Sequence, residues 1–234
     1  MRRRLLAALL LLAPTATGAQ ALHCSVPSVL PRQSVVGEGE HRRVTPIGGY
    51  TLALSWSPEY CRARGESAEA RLQCGGAGRF GFILHGLWPE GARAGTWPQW
   101  CRRPALVPER VVRATLCAMP SVALIQHEWE KHGSCGFANA ESYFRASRIL
   151  FAAVRYPDMN RLSRRDLDAG SFARHFAAAN PGLDAAMIRV DTNHRGWLEG
   201  VRLCLDRRFR PQSCPADHNG PPDHAPVRIW RSQP

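Results

Sequence analysis

The run His127-Glu128-Trp129-Glu130-Lys131-His132-Gly133 crowds two imidazoles, two carboxylates and an ammonium into one short span. It begins like the H-E-x-x-H of zinc hydrolases, whose second ligand stands four residues after the first. Here that position is Lys131, a cation that repels zinc, and His132 comes one residue later. On a helix at ~100° per residue, with His127 at zero, Lys131 falls near ~40°, Glu128 near ~100° and His132 near ~140°. These four share a face, while Trp129 and Glu130 point elsewhere. Such a set suits proton transfer and stabilisation of a developing anion. A solvated polar helix face is the bland alternative. Against it, Val122-Ala123-Leu124-Ile125 bury the start of the segment and Cys135 tethers its end. A second histidine, His85, closes the apolar run Phe80–Leu84, with Gly86 expected to turn the chain away and expose the ring. Alone it reads as a packed histidine beside Trp88. Together with the helix it completes an acid–base pair, since two imidazoles near neutrality can share one proton.

The elements that must hold these residues follow from periodicity. Tyr50–Trp56 alternates Tyr50, Leu52, Leu54 and Trp56 against Thr51, Ala53 and Ser55, a strand stopped by Pro58. Residues 80–84 form a second strand. Residues 198–205 form a third, with Leu198, Gly200, Arg202 and Cys204 on one side and Glu199, Val201, Leu203 and Leu205 on the other. Helices are expected over 109–118, 121–131 (capped by Ser121), 140–154 and 166–179. Residues 61–78 and 91–108 read as loops. Strands early and late with helices between them give an α+β fold with an antiparallel sheet.

The 234 residues carry a formal net charge of +12, which points to a polyanionic partner. Lys131 is the only lysine among 31 basic residues, so an ammonium is retained where composition favours arginine, and the two are not interchangeable. Arg2–Arg4, the apolar run Leu5–Ala13 and Ala19-Gln20-Ala21 read as a signal peptide over residues 1–21, leaving a mature charge of +9 and no membrane anchor. Residues 22–48 form a polar leader. Residues 49–234 form the catalytic domain, its tail Pro-rich from about residue 211. All eight cysteines follow the signal, which reads as four disulfides in a secreted or periplasmic chain; 105 pairings are open.

His85-Gly86-Leu87-Trp88-Pro89 and the segment from His127 to Cys135 resemble the two catalytic segments of the ribonuclease T2 family. The likeness extends through the segments 54–61 and 201–206, covering about Tyr50 to Cys214. Family members often carry Phe-Trp where this chain has Leu124-Ile125, and Thr at Ser134. The resemblance implies a central antiparallel sheet with flanking helices. It implies cleavage of single-stranded RNA without metal or cofactor and with low base specificity, first to a 2′,3′-cyclic phosphate and then to a 3′-phosphate. DNA, lacking the 2′-hydroxyl, is spared. His132 is then the base and His85 the acid, an assignment that sequence alone leaves open. Lys131 stabilises the phosphorane, Glu128 orients a partner and His127 holds phosphate. Trp88 stacks on a base, and Glu90 occupies an acidic base-contacting position. Trp97 and Trp100 read as loop packing, with stacking the alternative. The remaining histidines, among them His194 and His224, read as surface or satisfied residues. The family's bridges suggest Cys61–Cys74, Cys101–Cys135 and Cys204–Cys214, leaving Cys24 for Cys117. A monomer is expected. The rival reading is a secreted RNA-binding or cytotoxic protein whose role is not catalytic; its usual sign, a lost motif histidine, is missing.

Overall fold

The computed structural model describes residues 21–35, 40–65, 67–216 and 220–231. The expected signal segment lies outside the described residues, apart from Ala21. In chain order the strands are β1 (Ala21–Cys24), β2 (Ile47–Trp56), β3 (Gly78–Phe80), β4 (Phe82–Gly91), β5 (Leu167–Asp168), β6 (Ile188–Thr192), β7 (Leu198–Asp206) and β8 (Pro226–Val227). The helices are α1 (Ser57–Arg64), α2 (Arg71–Cys74), α3 (Glu109–Thr115), α4 (Val122–Glu128), α5 (Ser134–Gly136), α6 (Ala140–Ala153), α7 (Met159–Leu162) and α8 (Ala169–Ala178). Between α4 and α5 the chain makes a π-turn, Trp129–Gly133. The main sheet is antiparallel with strand order β4-β2-β7-β6, and two small pairs, β1 with β3 and β5 with β8, flank it. The fold is the expected α+β.

The alternation of β2 divides as its sequence suggests. Tyr50, Leu52, Leu54 and Trp56 enter the core with Phe82, Leu84, Leu87 and the helix residues Ile125, Tyr143, Phe144, Phe172 and Phe176. Ala53 and Ser55 face an open cleft on the opposite side of the sheet. On β7 the structure corrects the expected division: Leu198 is fully buried in the core and Glu199 is exposed. The register skips Glu199, because Asp191 pairs with Gly200 and Thr192 with Leu198. This one-residue bulge reverses the parity, so Leu198 joins Val201, Leu203 and Leu205.

Four of the α-helix starts carry side-chain caps: Ser121 accepts the Leu124 N–H, Asn139 that of Ser142, Asp158 that of Arg161 and Asp168 that of Ser171. The start of the leader is not irregular, since it pairs as β1 with β3, and Cys24–Cys117 ties it to the domain. The other bridges are Cys61–Cys74, Cys101–Cys135 and Cys204–Cys214, as the resemblance implied. The expected loop 61–78 holds the end of α1, all of α2 and the start of β3. Strand β6 has no counterpart in the sequence reading. No helix among the described residues is long and apolar enough to cross a membrane.

Candidate active site

Strand β4 does not end at His85, and Gly86 does not turn the chain away. The strand runs on to Gly91, with Leu84 paired to Leu54 and Gly86 to Ala53, so His85 is the extra residue of a β-bulge. The bulge brings His85 and Trp88, three residues apart, to the same side, where a regular strand would oppose them. Just past it, the Leu87 N–H donates to the buried Tyr143 hydroxyl of α6 at 3.2 Å. Gly86 makes room: a Cβ there would overlap the Glu128 carboxylate and the Trp88 indole nitrogen.

The second segment leaves α-helical geometry where its chemistry begins. The π-turn loosens the ladder, and its carbonyls find other donors: the Ser134 hydroxyl bonds Glu130 O at 2.6 Å and the Trp100 N–H bonds Lys131 O at 2.8 Å. Trp100 adopts φ 52°, uncommon for a residue with a Cβ, and lies buried with its ring edge-on to His127 at 5.3 Å. Gly133 has helical angles, so it is needed for closeness: a Cβ would overlap the rings of Trp129 and Tyr143. Cys101–Cys135 links the loop after β4 to the end of the π-turn.

These two distortions bring the predicted residues together. Trp88 stands between the imidazoles, stacked on His132 (5.4 Å between centroids, 28°) and edge-on to His85 (5.3 Å, 81°). Its indole N–H donates to Glu128 Oε2 at 2.8 Å, and Glu128 Oε1 lies 3.6 Å from His85 Nε2. The Ser55 hydroxyl meets His85 Nδ1 at 2.9 Å, turning Nε2 towards Glu128. One face of Trp88 is thus already covered by His132. Glu90 accepts the Thr51 hydroxyl at 2.6 Å. It lines a cavity of about 300 Å³ with Trp97, Lys131 and His132. A second cavity, about 990 Å³, is lined by Ser55, His85 and Asn193. Trp88 and Arg202 line both cavities.

Burial sets the proton affinities. His132 is driven down to about 2 by burial and by the charges of Lys131, His127 and His85. His85 is lowered to about 4 by desolvation and then by His127 and Lys131, although part of its side chain remains open to solvent. His127 is lowered for the same reasons, burial first and Lys131 second. Glu128, with 1% exposure, is pushed up to about 8 by burial, against the opposing effects of the Trp88 hydrogen bond and Lys131. Near neutrality the site therefore favours neutral imidazoles and a protonated Glu128.

Ser55 and Arg202 were not singled out by sequence. Ser55 is one small alternating residue of β2. Arg202 is one of thirty arginines, tied to Asp191 by hydrogen bonds of 2.6 and 2.9 Å. Trp97 is 44% exposed in the smaller cavity, whereas Trp100 is packed. His194 is exposed and lines the larger cavity.

The chain is thus a disulfide-bridged α+β domain with two imidazoles set around a tryptophan over a buried carboxyl. Residues 47–167 match the profile of the ribonuclease T2 family, and the chain belongs to that family. It is 34% identical over 202 residues to a probable ribonuclease of Haemophilus influenzae, covering 80% of this chain and 70% of that one. It is 42% identical over 168 residues to a ribonuclease of Aeromonas hydrophila, covering 68% and 71%. The fold is similar to that of trichomaglin, an S-like ribonuclease (TM-score 0.62, 20% identity, 78% and 98% covered). It is also similar to RNase NT in complex with 5′-AMP (TM-score 0.57, 19% identity, 79% and 98% covered).

Proposed function

We propose that this chain is an endoribonuclease that cleaves single-stranded RNA by metal-independent transphosphorylation, with low base specificity. The observation that carries this reading is the ridge formed by His132, Trp88 and His85 between two cavities. A scissile phosphate on that ridge would leave one nucleoside on the His132 side, beside Glu90 and Trp97, and the next on the His85 side. His132 then faces the attacking 2′-hydroxyl and His85 the departing 5′-oxygen. Burial and the neighbouring cation leave His132 unprotonated, and the negative charge of a phosphate on the ridge would raise its proton affinity towards that of a working base. The leaving group's proton is available from the Glu128–His85 pair, where the carboxyl holds it and the imidazole can relay it. Lys131 and His127 place positive charge against the phosphorane as its charge grows. Water then opens the 2′,3′-cyclic phosphate to a 3′-phosphate with the histidine roles reversed. DNA lacks the attacking hydroxyl and is left intact.

We read residues 1–21 as a secretory signal, residues 22–48 as a leader and residues 49–234 as the catalytic domain. Four disulfides support a periplasmic or extracellular location, and a monomer suffices for the chemistry.

The test is incubation with RNA and with DNA in excess EDTA, with the product ends identified. Cyclic phosphate and 3′-phosphate ends from RNA alone are expected. His85→Ala and His132→Ala should each cost ~10²–10⁴ in rate. Activity abolished by EDTA and restored by zinc, or equal cutting of DNA, would overturn the proposal. RNA binding without cleavage would favour the non-catalytic alternative.

A further inference from the structure

We propose that a second, arginine-lined groove built by the C-terminal tail holds the flanking stretch of the same RNA strand that is cut at the histidine ridge. The inference rests on the RNA-cleaving reading above and extends it to polymer recognition. The groove has a volume of about 1240 Å³, larger than the ~300–1,000 Å³ typical of small-ligand pockets. Into it converge exposed arginines from separate parts of the chain: Arg79 of β3, Arg164 and Arg165 after α7, and Arg228 and Arg231 of the tail. The acids in its lining are Asp166 and Asp168, and Asp168 is occupied in capping α8, taking the Ser171 N–H at 2.6 Å. Among the described residues, Arg79, Arg164 and Arg165 belong to no ion pair.

Charge alone would be weak in so arginine-rich a chain, but aromatic surface and continuity add to it. Trp197 and Trp230 line the groove half-buried, edge to face at 5.5 Å. The Arg62 guanidinium lies 5.4 and 5.0 Å from their ring centroids, and that of Arg228 lies 4.8 Å from Trp197. Arg62, paired to Glu59, lines the cavity beside His85 and packs its guanidinium against the two tryptophans of the groove, so its side chain lies between the two concavities. Guanidinium planes laid on aromatic rings present a cationic, flat surface on which bases can stack, a combination that suits sequence-tolerant single-strand binding. The groove is also held in place. The Trp56 indole N–H donates to Trp230 O at 2.8 Å, the Leu198 N–H to Arg228 O at 2.8 Å, and β8 pairs with β5. Trp197, Arg228 and Trp230 lie beyond the residues matched by the family profile, whereas Arg79, Arg164 and Arg165 lie within them.

The experiment uses the full protein and non-cleavable 2′-O-methyl RNA of about 4 and about 15 nucleotides, with affinity read by fluorescence anisotropy across a salt series. The triple variant Arg79→Ser, Arg164→Ser, Arg165→Ser should weaken binding of the long oligomer at least fivefold. It should also make the slope of log K against log salt shallower by ~2, at ~0.7 for each phosphate no longer neutralised. Binding of the short oligomer and turnover of a dinucleotide should stay within twofold of wild type. An unchanged slope, or equal weakening for both lengths, would overturn the groove. So would loss of binding to anionic phosphatidylglycerol vesicles with RNA binding intact. Should the triple variant unfold, Arg79→Ser and Arg164→Ser singly should each remove ~0.7 of slope, and no change in either would refute the proposal. Because binding is read without cleavage, a protein that fails to cut RNA but shows this arginine-dependent length effect would overturn the catalytic reading and keep the groove.

Discussion

Replacing Glu128 by glutamine tests the proton inventory of the site directly. The carboxyl is buried and lifted from the ordinary 4.5 to about 8. Folding therefore takes up a proton anywhere between those values, and the folded state loses ground as pH rises through that window. At ~1.4 kcal/mol per pH unit, about 2.5 units separate the free-carboxyl value from pH 7, so the effect there is on the order of 3 kcal/mol and at most ~3.5. Glutamine has nearly the same shape and cannot ionise. The stability of Glu128→Gln relative to wild type should therefore climb from a constant offset at pH 4.5 to about 3 kcal/mol above it at pH 7, and level off past pH 8. The histidines act with the opposite sign: lowered by burial, they make stability rise with pH below their ordinary 6.5, but they are common to both proteins and largely cancel. Urea denaturation of both proteins across pH 4.5–8.5, disulfides intact, measures the difference. A flat difference would show that Glu128 is ionised in the folded site and would refute the protonated-carboxyl account. Turnover should fall in the same variant, because glutamine cannot hold and return a proton.

Lys131→Arg keeps charge but not compactness, so kcat on a dinucleotide should fall about tenfold, ~1.4 kcal/mol, with KM nearly unchanged; a wild-type kcat would make the lone lysine an accident. Cys101→Ser with Cys135→Ser should cost ~2–5 kcal/mol in thermal or urea unfolding and lower activity by freeing the π-turn, and full activity in the double variant would remove the bridge from the argument. Gly86→Ala should destabilise by ~1–3 kcal/mol through overlap with Glu128. Adding Glu128→Ala should then recover part of that stability, the overlap with the Trp88 indole remaining, without recovering activity, and strict additivity of the two changes would show that the clash is not where the structure puts it.

The legibility of this chain divides by the range of the interaction involved. The alternation of β2 and the cap at Ser121 are set by near neighbours, and each is found where the sequence puts it. His85, Trp88, Glu128 and His132 were named from two segments and meet across the sheet edge. Ser55 and Arg202 were passed over because nothing local marks them: their position depends on which strand lies beside β2. Strand β6 is one arm of a hairpin with β7 and β1 pairs with β3 far along the chain, but at five and four residues each carries too little pattern to stand out.

The errors in the local reading share one cause. A bulge at His85, a bulge at Glu199 and a π-turn at residues 129–133 each depart from a regular period by one residue, and a period-based reading cannot anticipate an insertion that tertiary packing selects. Two of these insertions are what build the site. A regular β4 would place His85 and Trp88 on opposite faces, separating His85 from the ring that spaces it from His132. A regular α4 would continue past Glu128 and hold His127 and His132 about 140° apart, whereas a turn closing at i→i+5 brings residues five apart nearer to one face. Each distortion has a glycine beside it, chosen for room and not for backbone freedom: Gly86 admits the Glu128 carboxyl, and Gly133 lets the turn lie against Tyr143. Tyr143 also takes the Leu87 N–H just past the bulge, so a single buried residue of α6 supports both distortions. The site's geometry is thus fixed from behind, by the core, while its chemistry faces the cleft.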